Sequence, residues 1–210
     1  MLDLREENIH MEKINDKSEL RKRIIDVAVI LFQRDGIKQV RMDDVAAELG
    51  ISKKTLYGTF PDKESLLFEV VKITSNTLSE SIKELMTSSQ NVIEQIFFLY
   101  KKVIEHCREV NPLFFKELIR YTEVKTYLDQ MHAGHTHCIK EWLLTGVNQG
   151  LLRSDINYDV FLQQDGFQIG KLIKNPAVRE YEPEVIYNSV VLVLLRGIAT
   201  EKGLEIINQF

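Results

Sequence analysis

Apolar residues recur at intervals of three and four along most of the chain, and no stretch alternates as a strand would. The pattern predicts a first helix from Ser18, whose hydroxyl can cap it, to Asp35. Glu19 sits favourably in its first turn, and Ile25, Ala28, Leu31 and Phe32 share one face. Gly36 follows as a terminating glycine. Residues 1–17 lack periodicity and read as a frayed arm or an extension of this helix. A short helix is expected over Met42–Leu49, with Asp43 and Asp44 at its positive end and Val45, Ala46 and Leu49 inward. Gly50 makes the turn, Ser52 caps a third helix, and Ile51 and Leu56 fill the space between the two. Helix, glycine turn, helix is the layout of a helix-turn-helix. After Phe60-Pro61, Asp62 caps the next helix.

From there the periodicity predicts helices at 63–87, 91–109, 112–121, 123–150, 157–174 and 183–202, with a tail helix at 204–209. The breaks fall at Ser88–Asn91, Asn111-Pro112, Gly150, Asn157 and Asn175-Pro176. The fold class is therefore all-α: a three-helix head, then a larger helical bundle, about nine to ten helices in total. The expected division is 1–66 for the arm and head and 67–210 for the bundle. Ile186, Val190, Val191, Val193, Leu194 and Ile198 make one late helix apolar almost all round. Such a helix must be covered on every side, by a second copy of the chain or as the centre of a monomeric bundle. Gly170 and Gly197 would allow close approach there.

Composition narrows the class. The 210 residues are 44% hydrophobic and 28% charged, with only four prolines, as in an ordinary globular protein. The polar N-terminus has no apolar signal core, and the longest apolar run, Val190–Leu195, is far short of a bilayer span. With Cys107 and Cys138 as the two cysteines, a reducing, cytoplasmic setting is expected. The net charge of −4 does not announce a nucleic-acid binder, but Ser18–Leu66 carries nine Lys/Arg against eight Asp/Glu. Affinity for DNA would rest on where individual lysines stand.

Placement is the point of Ser52-Lys53-Lys54-Thr55-Leu56-Tyr57-Gly58-Thr59-Phe60. Two lysines open the third helix, at the positive end of its dipole, where cations are disfavoured. An anion met at that end accounts for them, since phosphate is favoured by free N–H groups and by lysine. Lys63, again a cation at a helix start, suggests a second such contact.

Ile25-Asp26-x-Ala28-x-x-Leu31-Phe32-x-x-x-Gly36, Asp44-Val45-Ala46, Leu49-Gly50-Ile51-Ser52-Lys53-Lys54-Thr55-Leu56-Tyr57-x-x-Phe60 and Asp62-Lys63-Glu64-x-Leu66 together resemble the TetR (tetracycline-repressor-like) transcriptional regulators. The resemblance covers about the first third of the chain. It implies a homodimer that sets each third helix into the major groove of an operator half-site, and a C-terminal domain that dimerises and binds an effector. Carried over, Lys53, Lys54, Thr55 and Tyr57 face DNA, Ser52 caps, and Lys63 meets a phosphate. Lys54 and Thr55 suit base edges, and Lys53, Tyr57 and Lys63 suit positioning. Tyr57 could instead pack over the short helix. Two positions depart from the family. Arg41 stands where a capping Thr or Ser is usual and is either a phosphate ligand or solvated. Gly58 stands where a large side chain is frequent; either base readout is sparse or the backbone approaches DNA closely.

In the C-terminal part, Tyr100, Tyr121 and Trp142 pair an apolar body with a hydrogen-bonding tip and are the effector-pocket candidates. His132, His135 and Cys138 share a helix face that could hold a metal if His106 or Cys107 joined it. Gly134 interrupts the run, which favours an incidental polar face. No nucleophile–base pair or phosphate loop appears, so the reading is a regulator, with no enzyme activity, metal or cofactor. Its expected partners are duplex operator DNA, a second copy and a small apolar or amphipathic effector that releases a repressor, with no membrane. The alternatives are a regulator acting through a protein partner, or a metal sensor using His132, His135 and Cys138.

Overall fold

The computed structural model describes residues 3–88, 91–163 and 180–210. These are helices and turns apart from one isolated antiparallel bridge between Leu152 and Ala199. They fall into two compact units, Met1–Ser75 with Leu113–Val124, and Asn76–Pro112 with Lys125–Phe210.

In the first unit α1 (Asp3–Asp35) begins near the start of the chain, so residues 3–17 extend the helix expected from Ser18. Ile24, Ile25, Ala28, Leu31 and Phe32 are buried along it at the spacing the sequence shows. Gly36 ends it at φ 86°, its N–H donating to the Phe32 carbonyl at 3.0 Å. Then come α2 (Met42–Leu49), α3 (Lys53–Thr59) and the first half of α4 (Lys63–Met86), which buries Leu66, Leu67, Val70 and Val71. The expected division after Leu66 is therefore displaced: α4 runs unbroken through it, and the units part at Ser75. Leu113–Val124, carrying α6 (Pro112–Leu118), also belongs to the first unit. A side chain at Gly36 would come within 3.1 Å of the Leu113 Cβ, which shows how closely the two segments approach.

The second unit is built round α5 (Val92–Glu109), capped by Asn91, whose side chain accepts from the Ile93 and Glu94 N–H groups at 3.1 and 3.0 Å. Val92, Ile93, Ile96, Leu99, Tyr100 and Ile104 form its buried stripe. Gln95 lies in that stripe too, and stays buried because it is saturated. It accepts the Trp142 indole N–H at 2.6 Å and donates to the Ser88 carbonyl at 3.2 Å. Trp142 comes from α7 (Thr122–Asn148), and Tyr158 and Leu162 from α8 (Tyr158–Gln163). The remainder of the helix expected at 157–174, with Gly170, lies outside the described residues.

The late apolar helix differs from expectation. It comprises α9 (Pro183–Ile186), a π-helical turn at Tyr187–Val191, and α10 (Leu192–Ile198). It stops at Ile198 rather than 202 because Ala199 pairs with Leu152 and Thr200 caps the following helix, α11 (Glu201–Ile207), accepting from the Gly203 N–H at 3.1 Å. Ile186, Tyr187, Val191, Leu192, Leu195 and Ile198 face the core, while Val185 and Val193 stand 46% and 58% exposed. The helix is thus apolar on two sides, and one of them is open in the single chain.

Within the π-turn the Tyr187 hydroxyl donates to the Lys101 carbonyl at 3.4 Å and Glu105 Oε1 at 3.5 Å. Burial, with the Glu105 charge beside it, pushes the phenol up to about 12 from the usual 10.0. The raised value means the folded state holds its proton longer than the unfolded chain does. Stability from this source is complete below pH 10 and is lost as pH rises through about 12. Urea melts across this alkaline window should therefore show wild type losing stability relative to Tyr187→Phe; equal slopes against pH in the two proteins would contradict the assignment.

Candidate nucleic-acid interface

The turn between α2 and α3 is closed by backbone bonds. Gly50 adopts φ 66° and its N–H donates to the Ala47 carbonyl at 3.1 Å, while the Ile51 N–H donates to the Ala46 carbonyl at 3.0 Å. Ala46 is buried, Leu56 is fully buried from the α3 side, and Ile51 is half-buried beside them. Ser52 caps α3 as its position suggested: its Oγ accepts from the Thr55 N–H at 3.1 Å and lies 2.8 Å from Thr55 Oγ1. With Leu56 anchoring α3 inward, Lys53, Lys54, Thr55, Tyr57 and Gly58 are all exposed. Tyr57 stands 47% exposed, so part of it is open for contact outside the chain.

The two lysines differ in what holds them. Lys53 Nζ pairs with Asp43 Oδ2 at 2.6 Å, and that hydrogen bond and charge hold the ammonium above the usual lysine range. Its place at the helix start is thus partly explained within the chain, by an acid at the start of α2 that the sequence had marked only as favourable to the α2 dipole. Lys54 makes no hydrogen bond or ion pair among the described residues. Arg41 sits at the N-cap of α2 without capping it. The Asp44 carboxylate does that work from the other side, accepting the Arg41 backbone N–H at 2.7 Å, and leaves the guanidinium exposed.

Lys63 has partners within the head itself. Its ammonium donates to the Val40 carbonyl and lies 5.9 Å from the centre of the Phe32 ring. Burial pulls it below the usual lysine range, against the opposing pull of Glu117 and Asp44. It fixes the approach to α2 from inside the unit. Glu117, unremarked in the sequence, fixes the same loop: buried on α6, it accepts the Lys38 N–H at 2.7 Å. The available signal was a lone acid in the apolar run Pro112–Leu118.

The effector candidates divide between the two units. Tyr121 belongs to the first unit, where burial and the charges of Glu117 and Glu64 raise its phenol. Tyr100 and Trp142 lie in the core of the second unit. The Trp142 tip is already committed to Gln95, and burial raises the Tyr100 phenol. Of the histidine cluster, His137 and Cys138 are exposed on α7, and the side chains of His132 and His135 lie outside those described. Among the described residues no group of three or more His, Cys, Asp or Glu could hold a metal ion. No described helix is long and apolar enough to cross a membrane.

Residues 24–70 match the N-terminal domain described as "Bacterial regulatory proteins, tetR family". The HTH-type transcriptional regulator SAB2452 of Staphylococcus aureus is 34% identical over 121 residues, covering 52% of this chain and 65% of that protein, just under two thirds of its length. The HTH-type transcriptional repressor KstR2 of Rhodococcus jostii is 24% identical over 88% of this chain and 93% of its own. Among solved structures, the transcriptional regulator FadR of Bacillus subtilis in complex with stearoyl-CoA superposes with a TM-score of 0.66, covering 84% of this chain and 98% of that one. At 18% identity this last likeness is one of fold.

Proposed function

The chain belongs to the tetR family of bacterial regulatory proteins, and on that premise we propose that it is a homodimeric, cytoplasmic repressor that reads its operator with α3. The observation that carries this reading is the exposed row Lys53, Lys54, Thr55, Tyr57 on a helix anchored by Leu56 and capped by Ser52. Lys54, which has no partner among the described residues, takes a guanine edge. The Thr55 hydroxyl is engaged by Ser52, so its methyl is what it offers a thymine. Tyr57, Arg41 and, once released from Asp43, Lys53 contact phosphates. Lys63 acts from inside the head as a positioning residue rather than on DNA itself.

The open apolar side of α9 and α10, with Val185 and Val193, supports pairing with a second copy. An apolar or amphipathic small molecule bound in the second unit beside Tyr100 is the proposed effector; the stearoyl-CoA held by the B. subtilis structure supports that class. By linkage such a ligand and the operator must weaken each other's binding by the same factor.

Selection of bound duplexes from random DNA tests the reading. It should enrich a two-fold-related sequence whose half-sites lie about one helical turn, or a multiple of it, apart. Recovery of unenriched sequence at every round would refute it.

A further inference from the structure

Among the described residues nothing requires position 58 to be glycine. A glycine is required where φ is positive, where another atom leaves no room for a Cβ, or where the chain must kink. Gly58 lies in the last turn of α3 with helical backbone, and a Cβ built on it meets nothing within 4 Å among the described residues. It weakens the helix relative to alanine without any return inside the fold. Its position says where the return lies. At about 100° per residue, Gly58 projects about 40° from Lys54 and about 60° from Thr55, one turn further on. It therefore occupies the middle of the exposed face those two side chains flank, opposite buried Leu56.

We propose that Gly58 is a specificity-determining residue: its bare Cα lets α3 seat against the base edges of the major groove, at a point where a side chain would hold the helix off. This rests on the reading of α3 as the DNA-reading helix, and it decides between the two roles open to this glycine. Readout here is by close backbone approach, with Lys54 and Thr55 reaching bases on either side because the helix sits deep.

The test compares wild type, Gly58→Ala and Gly58→Ser on the duplex selected by wild type and on a scrambled duplex. The Ala variant should melt at the wild-type temperature or about 2–4 °C above it. It should nonetheless bind the selected duplex at least tenfold more weakly, and Ser should be no better. Affinity for scrambled DNA and its salt dependence should not change, because no phosphate contact is lost. A fresh selection with Gly58→Ala should alter preference at base pairs within each half-site. Wild-type affinity and preference in the Ala variant would overturn the proposal. So would a lowered melting temperature, since the glycine would then be needed by the fold. If wild type itself selected no sequence, the DNA-reading assignment would fall, and this proposal with it.

Discussion

Replacing Lys54 by alanine should cut affinity for the selected operator by about 5- to 150-fold per half-site, the ~1–3 kcal/mol of a good base contact. The reason is its isolation. Lys53 must give up Asp43, 2.6 Å away, before it can meet a phosphate, so Lys53→Ala should cost less than Lys54→Ala. Lys54 has no such competitor among the described residues, and the Ser52 cap and the buried Leu56 hold its stretch of backbone in place. The loss should be selective, abolishing preference at one base pair while leaving affinity for scrambled DNA nearly intact. A uniform loss on all sequences, with the salt slope reduced by about one, would instead make Lys54 a phosphate contact. Titrations at two salt concentrations separate the two outcomes.

Glu117→Ala should destabilise the first unit by about 1–3 kcal/mol, although position 117 lies far from the head in sequence. The buried carboxylate accepts the Lys38 N–H at 2.7 Å, next to the Gly36 turn against which Leu113 packs. Removing it leaves a partly buried donor without its acceptor and takes away the negative charge that offsets the partly buried Lys63. Glu117→Gln keeps an acceptor oxygen and should recover part of the loss. Hydrogen exchange of the Lys38 amide in the full chain reads the effect directly: protection should fall sharply in the Ala variant and partly in the Gln variant. Unchanged protection in Glu117→Ala would show that the contact does not hold the loop.

These two residues mark what the sequence could and could not say. The head was legible because its signals are local. Ser52 capping α3, Gly50 in the left-handed turn and the Ile25–Phe32 stripe each depend on neighbours within one or two turns. Lys53 and Lys63 looked alike on the same logic, as cations at helix starts. Their fates diverged through Asp43, ten residues away, and Val40, twenty-three away. Spacing along a helix carries no information about such partners.

The second unit shows the same division. The stripe of α5 was readable, but the pairing of Gln95 with Trp142 across 47 residues was not, and that pairing takes the tip that made Trp142 a pocket candidate. A polar residue inside an apolar stripe was the clue, since buried amides survive only when saturated. Likewise the end of the late helix at Ile198 was set by the bridge from Leu152, a partner outside residues 183–202, together with the Thr200 cap, which is a local signal.

If α3 reads the operator, its outer face lies against the bases. A photo-crosslinking amino acid placed at Thr55, with the exposed Val160 of α8 as the control position, tests this on the wild-type-selected duplex. Crosslinks from position 55 should map to base pairs inside each half-site, be competed by unlabelled operator and be absent from position 160. Crosslinking from position 160 but not from 55, or from neither while the duplex stays bound, would place the DNA on another surface of the protein.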